Sequence, residues 1–339
     1  MLQQKKRASD PKVDFTRGSE ALGATPFGFG LSSRYGRASS LLRGHEEMTK
    51  AVLGIIGGSG VYDLPGIEDV REVQSRSPWG EPSDVLRMGR IGETDVAFLP
   101  RHGRGHRLSP SDINYRANID VMKRAGVTDL ISVSACGSFK DEYYPGFFVL
   151  VDQYVDRTHK RESSFFSKGC VAHVPMAHPV GPLLRQRIAN AAVAEKIPFT
   201  IGGTLVCIEG PQFSTYAESM TYKTLGYDVI GMTAMPEAKL AREAEITYAT
   251  VAMVTDYDCW HPDHDSVDVA AVVTVAKQNA TKVARLIARV ARYFPAEHEP
   301  CPVGSDRALD GAIMTAPSAR DPELLKKLDA IAGRVLNPA

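Results

Sequence analysis

Two aspartates lie two residues apart in Thr255-Asp256-Tyr257-Asp258, directly after the very apolar stretch Thr247–Val254. Alternation along a strand sends residues i and i+2 to one face, so both carboxyls aim into one cleft. An Asp with its ordinary pKa near ~3.9 cannot donate a proton at neutral pH. Burial or a like-charged neighbour raises it into the range of a general acid. The plain alternative is a solvated turn or a helix N-cap. A second group, Arg101-His102-Gly103-Arg104-Gly105-His106, sets four cationic or potentially cationic side chains among glycines. An Arg fork and a His donor suit an oxyanion, against the alternative of a solvated basic loop. Gly57-Gly58-Ser59-Gly60 and Ser134-Ala135-Cys136-Gly137-Ser138 offer small residues, hydroxyls and open amides that a phosphate can approach. GGSG has neither the Walker spacing nor the full dinucleotide fingerprint, and reads equally as a tight turn.

Glu209-Gly210-Pro211-Gln212-Phe213-Ser214 and Met232-Thr233-Ala234-Met235-Pro236-Glu237 also follow predicted strands. Phe213 suits stacking on a planar base, and Met232 suits packing against a sugar; either residue alone reads as core filling. Cys136 has no dedicated His–Asn pair and reads as a small core residue rather than a nucleophile. His261-Pro262-Asp263-His264-Asp265 has ligand-type residues but stands in a polar loop with no further ligand set, so no metal site is expected.

These groups need strand ends to present them, and the chain supplies an alternating pattern. Strands are predicted at Val52–Ile56, Val96–Leu99, Asp129–Val133, Phe148–Val155, Gly203–Cys207, Asp228–Gly231 and Thr247–Val254. Helices are predicted at Ile113–Ala125, Leu183–Ala194, Tyr216–Leu225, Glu237–Ala244 and Val267–Tyr293, the last with apolar residues near a 3.6 period. Residues 297–317 read as irregular, and Asp321–Arg334 as a terminal helix. The alternation predicts an α/β single domain, a mixed, mostly parallel central sheet flanked by helices. Residues 1–47 are basic, Gly- and Ser-rich and without apolar period, and read as a disordered tail or as a stretch upstream of a true start at Met48. The folded domain is then 48–339, with 296–339 as a C-terminal extension near the site.

Among the 339 residues, Lys plus Arg equals Asp plus Glu at 40 each, which gives no bulk attraction to nucleic acid or an anionic membrane. The five cysteines are scattered, which argues against a disulfide framework and for a reducing, cytoplasmic setting. No apolar run approaches the ~18–20 residues of a membrane span, and no secretory signal pattern is seen.

In the order GIIGGSG, RHGRGH, SACGS, DQYVDRT, IEGPQFST, MTAMPEA and TDYDCW, the motifs resemble the trimeric purine nucleoside phosphorylases, over about Leu53 to Tyr293. The resemblance implies that Ser59, Arg101, His102, Ser134, Ala135 (by its amide) and Thr233 hold phosphate. It implies that Met232 contacts ribose, that Phe213 flanks the purine, and that Asp256 and Asp258 face N7 and the 6-amino group. His106, His173 and Leu309 are implied near a 5′-methylthio end, with His173 and Leu309 contributed by a neighbouring subunit. Ser59 and Ser134 stand where adenosine-type members often carry Thr; the hydroxyl is kept.

The implied reaction is cleavage of 5′-methylthioadenosine by inorganic phosphate, giving adenine and 5-methylthioribose 1-phosphate. Phosphate is a co-substrate, no cofactor or metal is called for, and the partners are small molecules within a homotrimer. Carboxylates accept from a 6-amino group and repel a 6-oxo oxygen, which favours adenine. The competing readings are an inosine/guanosine or methylthioinosine phosphorylase, a non-catalytic nucleotide-binding regulator, and, more weakly, a nicotinamide dehydrogenase.

Overall fold

The computed structural model describes residues 49–74, 76–263 and 269–337. The expectations for residues 1–47 and Met48, for His264 and Asp265, and for the first two residues of the helix predicted from Val267 lie outside the described residues. Among the described residues the sheet has eleven strands. They are β1 (Val52–Gly57), β2 (Glu68–Val73), β3 (Leu86–Ile91), β4 (Thr94–Pro100), β5 (Asp129–Ser138), β6 (Phe148–Leu150), β7 (Gln153–Arg157), β8 (Phe199–Ile201), β9 (Thr204–Ile208), β10 (Val229–Gly231) and β11 (Thr247–Asp256). The helices are α1 (Tyr115–Arg124), α2 (Pro182–Ala194), α3 (Tyr216–Thr224), α4 (Ala234–Glu243), α5 (Val269–Arg292), α6 (Pro322–Lys327) and α7 (Asp329–Leu336).

β5 is the branch point of the sheet. Its first half lies parallel to β1, and Asp129 to Gly137 lie parallel to β11. Its last residues pair antiparallel with β10. β1 and β4 run parallel, as do β10 with β9 and β9 with β7. The sheet is therefore mixed and mostly parallel, and the exits of β1, β4, β5 and β11 share one end, where α/β sheets bind ligands. β1, β5 and β11 are buried on both faces, which is why they read as continuous apolar runs.

Alternation along β11 divides the core. Ala249, Val251 and Met253 pack with Leu184 and Ile188 of α2 and with Val283, Leu286 and Ile287 of α5. Tyr248, Ala252 and Val254 face the other side, with Ile119 and Met122 of α1, Leu240 of α4 and Ile331 of α7. Helix termini follow the local chemistry: Thr215 and Glu218 form a reciprocal capping box for α3. Asp321 caps α6, with Pro322 at its first position.

Three differences from the sequence reading have physical causes. The β2–β3 antiparallel pair carries no buried alternation, because β2 is an almost wholly exposed edge strand. The stretch Phe148–Val155 is two strands, since β6 joins β11 and β8 while β7 joins β9. The terminal helix breaks at Leu328, which is fully buried and ends α6 as it starts α7.

Candidate active site

The base side is built by an irregularity at the exit of β11. Its register against β5 shifts between Val254 and Asp256, so that Asp256 stands opposite Gly137. Such bulges re-aim side chains at strand ends. A Cβ added to Gly137 would lie 2.8 Å from Asp256 Oδ1, so only glycine admits this approach. Thr255 Oγ1 donates to Asp256 Oδ2 at 2.7 Å, and the Asp258 amide donates to Asp256 Oδ1 at 2.8 Å. Burial nevertheless dominates and pushes the Asp256 carboxyl up to about 6. Asp258 is 6% exposed, takes φ +53°, and is also raised, again by burial. Close to it lie Ser214 and Ser219, whose hydroxyls favour its charged form but do not outweigh burial. Both aspartates are thus shifted towards the neutral form, the opposite of a solvated turn.

The phosphate side gathers the exits of β1, β4 and β5. The Arg101 amide donates to Gly57 O at 2.8 Å and ties the first two loops together. Ser59 sits, half-buried, in the turn after β1. Ser134 Oγ and Thr233 Oγ1 are 3.3 Å apart, and both residues are buried. Ala135, beside Ser134, is partly accessible.

Arg101 differs from a free anion-binding fork. Its side chain is fully buried. Nε and Nη2 donate to the Glu237 carboxylate at 2.7 and 3.0 Å, Nη2 to Ser132 Oγ at 2.6 Å, and Nη1 to Val133 O at 3.0 Å. Only one N–H, on Nη1, is left for an external oxygen. Glu237 also accepts from Ser132 Oγ at 2.6 Å and Tyr248 OH at 2.9 Å. Burial works against the Arg101 charge, and Glu237 outweighs it, holding the pKa above its ordinary value. A side chain at Gly58 would meet Val133 O at 2.5 Å and Arg101 Nη1 at 2.9 Å. The GGSG motif therefore keeps backbone close to this buried charge.

His102 is 5% exposed, and burial pushes its imidazole down to about 3. Its Nδ1 lies 2.9 Å from Leu108 O, an acceptor, so Nδ1 carries the proton and Nε2 is left as an acceptor. His106 stacks on it with centroids 4.2 Å apart, takes φ +54°, and meets Tyr62 OH through Nδ1 at 3.0 Å. Burial lowers the His106 pKa too.

On the sugar side, Met232 is half-buried, and its Sδ would lie 2.6 Å from a Cβ on Gly210. Phe213 is 43% exposed. It lines a cleft of about 380 Å³ with Gly210, Ser214, Glu218 and Tyr222. His173 and Leu309 are not brought to these loops. His173 is exposed, and its amide donates to Ala312 O at 2.9 Å. Leu309 is 1% exposed inside its own chain's core, with its amide bound to Glu245 Oε1 at 2.9 Å. A side chain so enclosed cannot reach into a neighbour's pocket, which corrects the expectation for Leu309. Val171 and Met314, 40% and 68% exposed, are presented outward on this side, the Met314 amide donating to Val171 O at 2.8 Å.

Sequence reasoning missed the part played by Glu237, although it stands in the quoted MTAMPE motif. It also missed Arg161, which no pattern marked. Cys136 is buried and its thiol is pushed well up by burial, so it is no thiolate nucleophile. His261 Nε2 lies 3.0 Å from Asp141 Oδ1. Among the described residues no group of three His, Cys, Asp or Glu side chains could hold a metal ion, and no helix is long and apolar enough to cross a membrane.

The Phosphorylase superfamily model matches residues 52–292. The S-methyl-5′-thioadenosine phosphorylase of Bradyrhizobium diazoefficiens is 74% identical over 289 residues, 85% of this chain and 99% of that protein. The same-named protein of Cereibacter sphaeroides is 58% identical over 287 residues, with coverage of 85% and 99%. Among solved structures, a methylthioadenosine phosphorylase from an antarctic soil metagenomic library superposes with TM-score 0.78 at 42% identity, covering 84% of this chain and 99% of that one. The Schistosoma mansoni methylthioadenosine phosphorylase in complex with adenine gives TM-score 0.72 at 35% identity, covering 80% and 99%. With the family model spanning most of the chain and relatives this similar along nearly their full length, the chain belongs to the phosphorylase superfamily, among its S-methyl-5′-thioadenosine phosphorylases.

Proposed function

We propose that this protein cleaves 5′-methylthioadenosine with inorganic phosphate, releasing adenine and 5-methylthioribose 1-phosphate. The observation that carries the reading is the bulge at the end of β11. It sets two carboxyls with raised pKa beside the Ser134–Gly137 segment of β5, one strand from the hydroxyls that would hold phosphate. In this reading a phosphate oxygen forms a bond to C1′ as the C1′–N9 bond breaks and its electron pair passes to the purine. Asp256, with a pKa near 6, delivers its proton to N7. Asp258 then accepts from the 6-amino group.

Ser59, Ser134, Thr233, the Ala135 amide and the last N–H of Arg101 serve as phosphate donors. Neutral His102 accepts, through Nε2, the P–OH of monohydrogen phosphate. Fixed donors held away from water place the nucleophile at little reorganisation cost. Met232 packs on the ribose and Phe213 covers the base. His106 and, from a neighbouring subunit of a homotrimer, His173 close the 5′ end. The products suit purine and methionine salvage in the cytoplasm, and no cofactor enters the scheme.

The test is release of free base from methylthioadenosine, adenosine and methylthioinosine, each with and without phosphate. Phosphate-dependent release, fastest from methylthioadenosine, is expected. Equal release without phosphate, or a preference for methylthioinosine, would overturn the reading.

A further inference from the structure

Arg161 is the most heavily engaged side chain that the proposed reaction does not use. It follows β7, and its side chain is 1% exposed. Nη1 donates to Met232 O at 2.6 Å, Met235 O at 2.7 Å and Tyr115 OH at 3.2 Å. Nη2 donates to Glu209 O at 2.6 Å, and Nε to Glu209 Oε1 at 3.3 Å. One guanidinium thus holds backbone carbonyls from two separate strand-end loops, the one after β9 and the one after β10.

Both loops meet this one guanidinium. Met235 takes φ −117° and ψ 134° inside α4, which frees its carbonyl from the helical pattern. Met232 and Met235 together turn their carbonyls onto one cation, and Thr233 is fixed between them. On the other side Glu209 is the counter-charge. Burial opposes its ionisation, yet the Ser111 hydroxyl, the His159 and Lys160 amides and Arg161 hold its pKa down to about 2. The His159 amide reaches Oε2 at 2.6 Å. A planar fork with five donors can satisfy this set at once, whereas an ammonium is a point charge with three.

We infer that Arg161 is a positioning residue: its guanidinium clamps the Glu209–Phe213 and Met232–Met235 loops together and so sets the sugar contact at Met232 against the phosphate donor Thr233. This rests on the phosphorolytic reading above for its effect on rate, and on the hydrogen-bond geometry alone for its effect on the loops. A small displacement of bound sugar from attack geometry lowers turnover more than affinity.

The experiment compares wild type with Arg161→Lys in two measurements. In amide hydrogen exchange, peptides covering residues 209–213 and 231–236 should exchange faster in the variant, with the sheet unchanged. Unchanged protection there, or uniform loosening, overturns the clamp. In phosphorolysis of methylthioadenosine well below the melting temperature, kcat should fall about 30-fold or more while KM changes by less. A kcat within threefold of wild type overturns the inference. Arg161→Gln, which leaves no misplaced cation, repeats both measurements if the lysine variant folds poorly. Wild-type protein that releases no adenine would contradict the proposed reaction, and the exchange result would then judge the clamp by itself.

Discussion

The two walls of the site solve opposite electrostatic problems. Beneath the phosphate loops, Arg101 and Glu237 are both buried and ion-paired, each satisfied by the other and by Ser132, Val133 and Tyr248. The Arg101 charge is held by this pair. On the base wall, Asp256 and Asp258 are buried without a cationic partner among the described residues, and burial moves them towards neutrality. The charge state of Asp256 can change near pH 6. A fixed charge suits holding an anion in place, whereas a carboxyl near pKa 6 suits delivering a proton. The contrast separates residues whose loss unfolds the site from residues whose loss stops the chemistry.

The largest effect should come from breaking the fixed wall. Arg101→Ala leaves Glu237 buried and unpaired, and removal of one partner of such a pair costs about 3–5 kcal/mol. Denaturant unfolding should show that loss, with activity falling through misfolding as much as through lost phosphate contact. A stable variant changed only in phosphate KM would assign Arg101 to the ligand rather than to Glu237.

Asp256→Asn should act the other way, lowering kcat about 10²- to 10³-fold with little loss of stability at pH 8. The sign follows from its raised folded pKa. The carboxyl contributes most stability below the unfolded pKa near ~3.9, and this is lost as pH rises through about 6. Replacing an ionised, poorly paired carboxylate by a neutral amide is then tolerated. A large loss of melting temperature would mark Asp256 as structural.

Asp258→Asn should shift selectivity more than rate. An amide donor can meet a 6-oxo group, and one such buried hydrogen bond changes discrimination by roughly ten- to a hundredfold. The ratio of kcat/KM for methylthioadenosine and methylthioinosine measures it. An unchanged ratio would remove Asp258 from the base contact.

The smallest effect lies at the opposite end of β5 and serves as a control. His298 Nδ1 meets Asp129 Oδ2 at 2.9 Å. Burial lowers its pKa, but the hydrogen bonds and charges of Asp129 and Asp306 prevail and raise it to about 9. Its stabilisation is complete below the unfolded pKa near ~6.5 and is lost as pH rises through about 9. His298→Asn should flatten that decline, by about 2–4 °C in melting temperature, without altering kcat. A matching change in kcat would couple the far end of β5 to the chemistry.

What the sequence made legible follows the same division. Strand-end motifs betray themselves because glycine, hydroxyl and charge cluster where an apolar run stops, as in GGSG, RHGRGH and TDYDCW. The bulge that sets Asp256 against Gly137 was not legible, since register is a property of two strands rather than one. Nor was the partner of Arg101, which lies 136 residues away in Glu237. Arg161 sits among polar residues and gains meaning only from carbonyls that two other segments bring to it. Leu309 was misplaced because a leucine carries no mark of facing a partner or its own core. The edge strand Glu68–Val73 escaped because nothing on it is buried well enough to leave a period.

The central claim is that Asp256 supplies the proton that the leaving base needs. A methylthioadenosine methylated at N7 carries that positive charge already and needs no acid. Rates of phosphorolysis of the plain and the N7-methylated substrate should therefore be measured for wild type and Asp256→Asn. The account predicts a loss of about 100-fold or more on methylthioadenosine and less than about fivefold on the methylated substrate. An equal loss on both would contradict it and make Asp256 a binding or structural group.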